Sequence, residues 1–210
     1  SSLAAANSTL FAMRGKKALY LNLEKFGSSE VFFSAGGNGS MSRIIDALIE
    51  ENSNLELTIK SCERQADNGV CFFAPTDHPL EMTELNYNYI EKLLSALTQL
   101  RCYDYIIVDN NFSIDFEALK VYSDAYAVVW VSDGSQSSNC KLSRAYKSIE
   151  TLEQISTSPI FEYPVTNRMF MIYNKFNNMT SQKSNEIDIE CIGVVNPIAH
   201  SECAQLIEKL

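Results

Sequence analysis

Polar residues follow several apolar segments of the chain, and they are the candidates for chemistry. Asp109 comes directly after the apolar residues 105–108, and Asn174 and Asn196 follow two later apolar segments. A carboxylate at the end of a buried strand needs a partner, so Asp109 is a candidate for holding Mg²⁺ through water. A turn in which Asp109 accepts backbone N–H groups is the alternative. The Asn174 amide can donate to and accept from a nucleobase edge, or it can cap its own strand.

An alternation of short apolar strands with amphipathic helices must position these residues. Strands are predicted at 18–23, 55–59, 70–74, 105–108, 125–131, 169–173 and 191–195, and helices at 2–14, 42–51, 83–100, 115–122, 138–155 and 202–210. Most of the strands are apolar throughout, which is typical of a parallel sheet buried on both faces. The sequence therefore predicts a doubly wound α/β fold with helices on both faces of a mostly parallel sheet. Ligands of such folds bind at the carboxyl ends of the strands.

Composition excludes several classes of function. The formal net charge is −9, the charges are spread evenly, and no Lys/Arg run is present, which argues against binding nucleic acid or anionic membranes. The longest apolar run, 125–131, is far shorter than the ~18 residues of a membrane helix. None of the six cysteines forms a CxxC pair, which favours buried thiols in a reducing, cytoplasmic compartment over disulfides or zinc.

The boundaries of the chain carry their own prediction. No shift in composition marks a domain boundary, so we expect a single domain over residues 1–210. Residues 1–6 read as the start of a helix, and the last residues stop within a helical pattern. We therefore expect the domain to be a piece of a longer protein.

Five segments carry a resemblance to one family. Residues 16–28, Lys-Lys-Ala-Leu-Tyr-Leu-Asn-Leu-Glu-Lys-Phe-Gly-Ser, resemble the second motif of ParA/MinD-type deviant Walker ATPases, and residues 103–109 resemble their Walker B strand. Residues 171–175 are similar to the Asn-Lys strand end that recognises the base, and residues 192–197 to the Pro-containing loop beside adenine. Residues 70–79 look most like the TadZ/CpaE branch, whose members position pilus-assembly machinery.

The resemblance implies a P-loop NTPase-like fold whose first strand and phosphate loop lie before residue 1. It implies that ATP is bound by Ser1, Ser2, Glu24, Gly27, Asp109, Asn174, Lys175, Asn196 and Pro197. Ser1 and Ser2 would be the tail of the phosphate loop, with Mg²⁺ held by the Ser1 hydroxyl and, indirectly, by Asp109. A plain helix N-cap is the alternative role for Ser1.

Asn22 departs from the family pattern at the catalytic position. The family places there the Asp that orients the attacking water, and a neutral amide cannot act as a base. Asn22 could instead cap the following loop. Asn110 and Asn111 replace the small or Pro residues that usually follow Walker B. The protein is therefore expected to be a weak ATPase at most.

The resemblance implies an ATP-dependent homodimeric switch or scaffold that positions pilus-assembly or secretion proteins. It would be cytoplasmic, recruited to a cell pole or membrane complex, without direct membrane insertion. The dimer face would be built from the segments after Glu24, Asp109 and Asp133. A MinD/ParA-like cell-division or partitioning ATPase, a pseudo-ATPase scaffold that does not hydrolyse ATP, and an ATP-dependent ligase for small molecules remain alternatives.

Overall fold

The structure, a computed structural model, describes residues 1–51, 54–155, 161 and 163–197. These form two compact units, Ser1–Asn111 and a second unit that begins at Phe112. The elements of the first unit are α1 (Ser2–Met13), β1 (Ala18–Asn22), α2 (Ser29–Phe32), α3 (Met41–Ile49), α4 (Leu55–Cys62), β2 (Arg64–Gln65), β3 (Cys71–Phe72), a 3-10 helix (Pro79–Glu84), α5 (Tyr87–Gln99) and β4 (Tyr105–Asp109).

The first unit is built on a four-stranded sheet in the order β2-β3-β1-β4. β1 runs parallel to β3 and β4, and β2 pairs antiparallel with β3. Residues 18–21 are fully buried, so both faces of β1 are covered, as their apolar character requires. Tyr20 lies on one of these faces and packs with Ala5, Phe33 and Phe72.

Local sequence signals set the ends of the helices in the first unit. The Asn86 side chain accepts hydrogen bonds from the backbone N–H groups of Asn88 and Tyr89 and so caps α5. Gly15, just beyond α1, has a φ of 76°, a left-handed conformation that glycine adopts without a steric cost. α1 packs against β1 and β4, and this places its N-terminus beside the carboxyl ends of both strands.

The second unit contains a parallel three-stranded sheet in the order β5-β6-β7. Its elements are α6 (Phe116–Asp124), β5 (Val128–Ser132), α7 (Gln136–Gln154), a 3-10 helix (Thr166–Arg168), β6 (Met169–Asn174) and β7 (Glu190–Val195). Trp130, Ile149, Met171 and Tyr173 are buried together and join α7 to the sheet. None of the helices in the described ranges combines the length and the apolar character needed to cross a membrane.

The predicted α/β class with mostly parallel strands is confirmed. The prediction of one domain over residues 1–210 stays a prediction, and the helix predicted at 202–210 lies outside the described residues. Several predicted boundaries shift, and two predicted elements change further. The strand predicted at 70–74 is reduced to Cys71–Phe72, and the helix predicted at 83–100 becomes a 3-10 helix followed by α5.

The strand predicted at 55–59 is wrong, because these residues begin the helix α4. The apolar residues of this segment are spaced by two, which is typical of a half-buried strand. In the helix Ile59 and Cys62 are buried on the same face, whereas Leu57 is 65 % exposed. A segment this short fits both the two-residue period of a strand and the 3.6-residue period of a helix, and tertiary packing selects the helix.

Candidate functional site

The candidate site lies where β1 and β4 end side by side. Asn22 and Asp109 are cross-strand partners in the parallel register, and the Leu23 N–H donates to the Asp109 carbonyl across 2.8 Å. Asp109 is only 6 % exposed. The carboxylate is therefore held at the predicted edge of the sheet, and a buried charge there needs hydrogen-bond donors.

Tyr20 supplies one of these donors. Its hydroxyl donates to Asp109 Oδ2 across 2.5 Å and accepts from Asn22 Nδ2 across 3.2 Å. Burial, reinforced by the neighbouring Asp109 carboxylate, raises the pKa of Tyr20, so its hydroxyl stays protonated. Sequence reasoning missed Tyr20. The available signal was a hydroxyl-bearing residue inside an aliphatic strand, two positions before Asn22 and hence on the same face.

Both polar atoms of the Asn22 amide have a partner within the protein. Its Oδ1 accepts from the Glu24 N–H across 2.8 Å, while its Nδ2 donates to Tyr20. Asn22 thus caps the loop after β1, the alternative that the sequence left open. The Gly27 backbone approaches this amide so closely that a Cβ on Gly27 would lie 2.8 Å from Asn22 Oδ1.

Ser1 lies at the same edge and precedes the first residue of α1, Ser2. Its hydroxyl donates to Glu24 Oε2 across 2.9 Å, and its backbone nitrogen is 3.5 Å from Asp109 Oδ1. The Ser1 side chain makes no N-cap hydrogen bond to the helix. The structure therefore brings together four of the predicted site residues, Ser1, Asn22, Glu24 and Asp109, with Gly27 in contact with Asn22.

The donor atoms at this edge fit Mg²⁺. Ser1 offers a hydroxyl, and Glu24 and Asp109 offer carboxylates, which are the oxygen ligands this cation prefers. Among the described residues no cluster of three or more His, Cys, Asp or Glu side chains could hold a metal by itself. Mg²⁺ usually keeps several waters and takes few protein ligands together with phosphate oxygens, so the sparse donor set suits it.

A cleft adjoins the site between the ends of β1 and β3. It is lined by Asn22, Glu24, Lys25, Phe26, Gly27, Ser29, Met41, Phe73, Pro75, Thr76, Pro79 and Met82. The Ser29 hydroxyl donates to the Phe73 carbonyl across 2.9 Å, which ties the loop after β1 to the loop after β3. Phe26 is 83 % exposed. The rim of the cleft is therefore apolar as well as charged.

The remaining predicted residues belong to the second unit. Asn174 is the last residue of β6 and pairs in register with Val195, the last residue of β7. Asn196 follows Val195 directly, so Asn174 and Asn196 lie at the same carboxyl edge of the three-stranded sheet. Lys175 has a φ of 58°, which turns the chain sharply after Asn174. Asn196 and Pro197 follow β7 directly. That the strand ends of both units line one cleft stays a prediction.

Comparisons with known proteins give a consistent fold. No protein-family model and no curated protein sequence matches the chain. A ParA family ATPase from Chlorobium tepidum matches with a TM-score of 0.72 and 17 % identity, covering 99 % of this chain and 82 % of that one. A plasmid partition protein from Borrelia burgdorferi matches with a TM-score of 0.65 and 16 % identity, covering 99 % and 90 %.

A third matching structure contains a bound nucleotide. The septum site-determining protein MinD from Pyrococcus horikoshii, solved in complex with Mg-ADP, matches with a TM-score of 0.60 and 11 % identity. The alignment covers 93 % of this chain and 74 % of that one. At these identities the likeness establishes the fold. The chain has the fold of the ParA/MinD-type ATPases.

Proposed function

We propose that the protein binds ATP with Mg²⁺ at the edge formed by Asn22 and Asp109. The observation that carries the proposal is the convergence of Ser1, Glu24 and Asp109 at the N-terminus of α1. A helix N-terminus offers unpaired N–H groups to phosphates, and the carboxylates offer oxygen ligands to the cation. The MinD structure with Mg-ADP supports this assignment by its fold.

Each residue then has a role in binding. Asp109 would hold Mg²⁺ indirectly, the Ser1 hydroxyl would be its ligand, and Ser2 and Gly27 would contribute backbone near the phosphates. Bound Mg²⁺ would neutralise phosphate charge. In the second unit, the base would be contacted by Asn174, Lys175, Asn196 and Pro197. These four assignments rest on the order of motifs in the sequence.

Hydrolysis is proposed to be weak or absent. Both polar atoms of the Asn22 amide already have protein partners, and an amide has no basic lone pair to take a proton from water. A bound nucleotide would then act as a switch through its differential affinity for two states of the protein. A homodimer that forms across the strand-end loops is the second state we propose.

The cellular role proposed first is positioning of partition or cell-division components. The names of the matching proteins, a ParA family ATPase, a plasmid partition protein and MinD, support it. A role in placing pilus-assembly or secretion proteins rests on the resemblance of residues 70–79 alone. With a net charge of −9, a partner protein is favoured over direct contact with nucleic acid.

Calorimetric titration of the full-length protein tests this function. We expect saturable binding of ATP that strengthens when Mg²⁺ is added and weakens when EDTA removes it. GTP serves as the matched control for the base, and we expect it to bind more weakly. Absence of heat and of any thermal stabilisation by Mg-ATP would count against the proposal, because a ligand of the folded state must stabilise it.

A further inference from the structure

We infer that Tyr20 is a positioning residue that fixes which oxygen of Asp109 faces the nucleotide. The inference rests on the proposed Mg-ATP site and adds a residue to it. Tyr20 touches neither phosphate nor metal in this scheme. It acts through Asp109, by binding Oδ2 and leaving Oδ1 on the side of Ser1.

The hydrogen bonds run in one direction. Asn22 Oδ1 accepts from the Glu24 N–H, and a backbone N–H can meet only an acceptor, so the orientation of the amide is determined. Nδ2 must then donate to the Tyr20 oxygen. The single hydroxyl proton of Tyr20 is therefore left for Asp109 Oδ2. This series of hydrogen bonds ends on Asp109 Oδ2 and so determines which carboxylate oxygen Tyr20 binds.

Burial keeps this arrangement rigid. Tyr20 is fully buried and its ring packs 5.2 Å from the ring of Phe33. Asp109 Oδ1, the oxygen that Tyr20 leaves free, is the one 3.5 Å from the Ser1 nitrogen. Without the phenol, Oδ2 would be a buried acceptor with no donor from Tyr20, and the carboxylate would turn to find one. The expected consequence is a weaker hold on Mg²⁺.

Tyr103 provides a matched control within the same unit. Its hydroxyl donates to Glu63 Oε2, and it precedes β4, at the opposite end of the strand from Asp109. Burial and Glu63 raise the pKa of Tyr103, as burial and Asp109 raise the pKa of Tyr20. The two tyrosines therefore make the same kind of tyrosine–carboxylate bond, one at the proposed site and one away from it.

The experiment compares Tyr20→Phe with Tyr103→Phe in the full-length protein. ATP affinity is measured with saturating Mg²⁺ and with EDTA, and thermal unfolding is recorded for each variant. We expect Tyr20→Phe to lower the Mg²⁺ enhancement of ATP affinity about tenfold, the scale of a hydrogen bond to a charged group. Affinity in EDTA should stay within about twofold of wild type. Tyr103→Phe should lose a comparable amount of thermal stability and keep the wild-type enhancement.

The outcomes separate the inference from the function on which it rests. The inference is overturned if Tyr20→Phe keeps the wild-type Mg²⁺ enhancement of ATP affinity, or if Tyr103→Phe loses as much of that enhancement as Tyr20→Phe. Either result leaves the proposed function standing. A wild-type protein without Mg²⁺ enhancement overturns both. A further variant carries 4-aminophenylalanine at position 20, which keeps an N–H donor for Asp109. We expect this variant to retain the enhancement, and its loss in the folded protein would overturn the inference.

Discussion

The phenol of Tyr20 and the carboxylate of Asp109 meet across 2.5 Å, although they lie 89 positions apart in the chain. The contact joins β1 to β4, at the edge where Asn22 and Asp109 face each other in register. It divides the carboxylate into an oxygen bound by the protein and an oxygen on the side of Ser1. In the proposed site Oδ1 faces the cation, whereas Oδ2 is held by a hydrogen bond within the fold.

Slow turnover follows from the engaged amide of Asn22. We predict that the full-length protein with Mg-ATP releases phosphate far below ~1 s⁻¹, the low end of common enzyme rates. The missing general base accounts for a loss of ~10²–10⁴-fold. A steady-state phosphate-release assay measures the rate, with Asp109→Asn prepared in parallel to reveal contaminating ATPase. A rate of 1 s⁻¹ or more that disappears in Asp109→Asn would show that another residue activates water.

Self-association is predicted to use the loop after β4. Asn111 is exposed and follows Asp109 by two residues, so an arginine there would place two like charges near the dimer axis. We expect Asn111→Arg to weaken a dimer that Mg-ATP strengthens. Asn88→Arg, an equal change of charge at an exposed position of α5, is the control.

Sedimentation of both variants and of the wild type, with and without Mg-ATP, measures this effect. The expected pattern is a nucleotide-dependent dimer in the wild type and in Asn88→Arg, and a weaker dimer in Asn111→Arg. If every sample sediments identically, the interface lies elsewhere and nucleotide does not control it.

The packing of α4 gives a prediction about stability. A Cβ on the buried Gly39 would lie 2.5 Å from the Cα of Cys62, which is backbone and cannot rotate away. We expect Gly39→Ala to destabilise the fold by ~1–3 kcal/mol, the usual cost of overpacking. Gly36→Ala is the control, because nothing lies within 4 Å of its Cβ position. Chemical denaturation of both variants provides the comparison, and equal midpoints would contradict the described contact.

Both strands of the site could be predicted because they are short runs of apolar residues. β1 is buried over residues 18–21, whereas residues 105–108 of β4 are half-buried or exposed. Residues 105–108 are apolar throughout, and the structure extends that strand by one residue to Asp109. The class of fold and the edge that carries Asn22 and Asp109 follow from such segments. The pairing of β1 with β4 does not follow from either segment alone, because register is a property of both strands.

Other features depended on contacts between distant residues. The two-residue spacing of residues 55–59 fits a strand, and only the packing of α3, α4 and α5 against one another selects the helix. The sequence alone predicts Tyr20 only as a core aromatic residue, because its contact with Asp109 joins two distant segments. The position of Asn22 at the end of a strand predicts the capping role as one of two alternatives, whereas its bond to Tyr20 requires the side-chain geometry.

Mg²⁺-dependent ATP binding through Asp109 is the central claim, and one pair of substitutions tests it most directly. Asp109→Asn removes the charge at the proposed site, and Asp104→Asn makes the same change before β4, where the side chain accepts from the Lys17 N–H. ATP affinity of both full-length variants is measured by calorimetry with Mg²⁺ and with EDTA. We predict that Asp109→Asn lowers the Mg²⁺ enhancement of ATP affinity at least about tenfold, whereas Asp104→Asn leaves it unchanged. Equal enhancement in the two variants would contradict a nucleotide site at this edge.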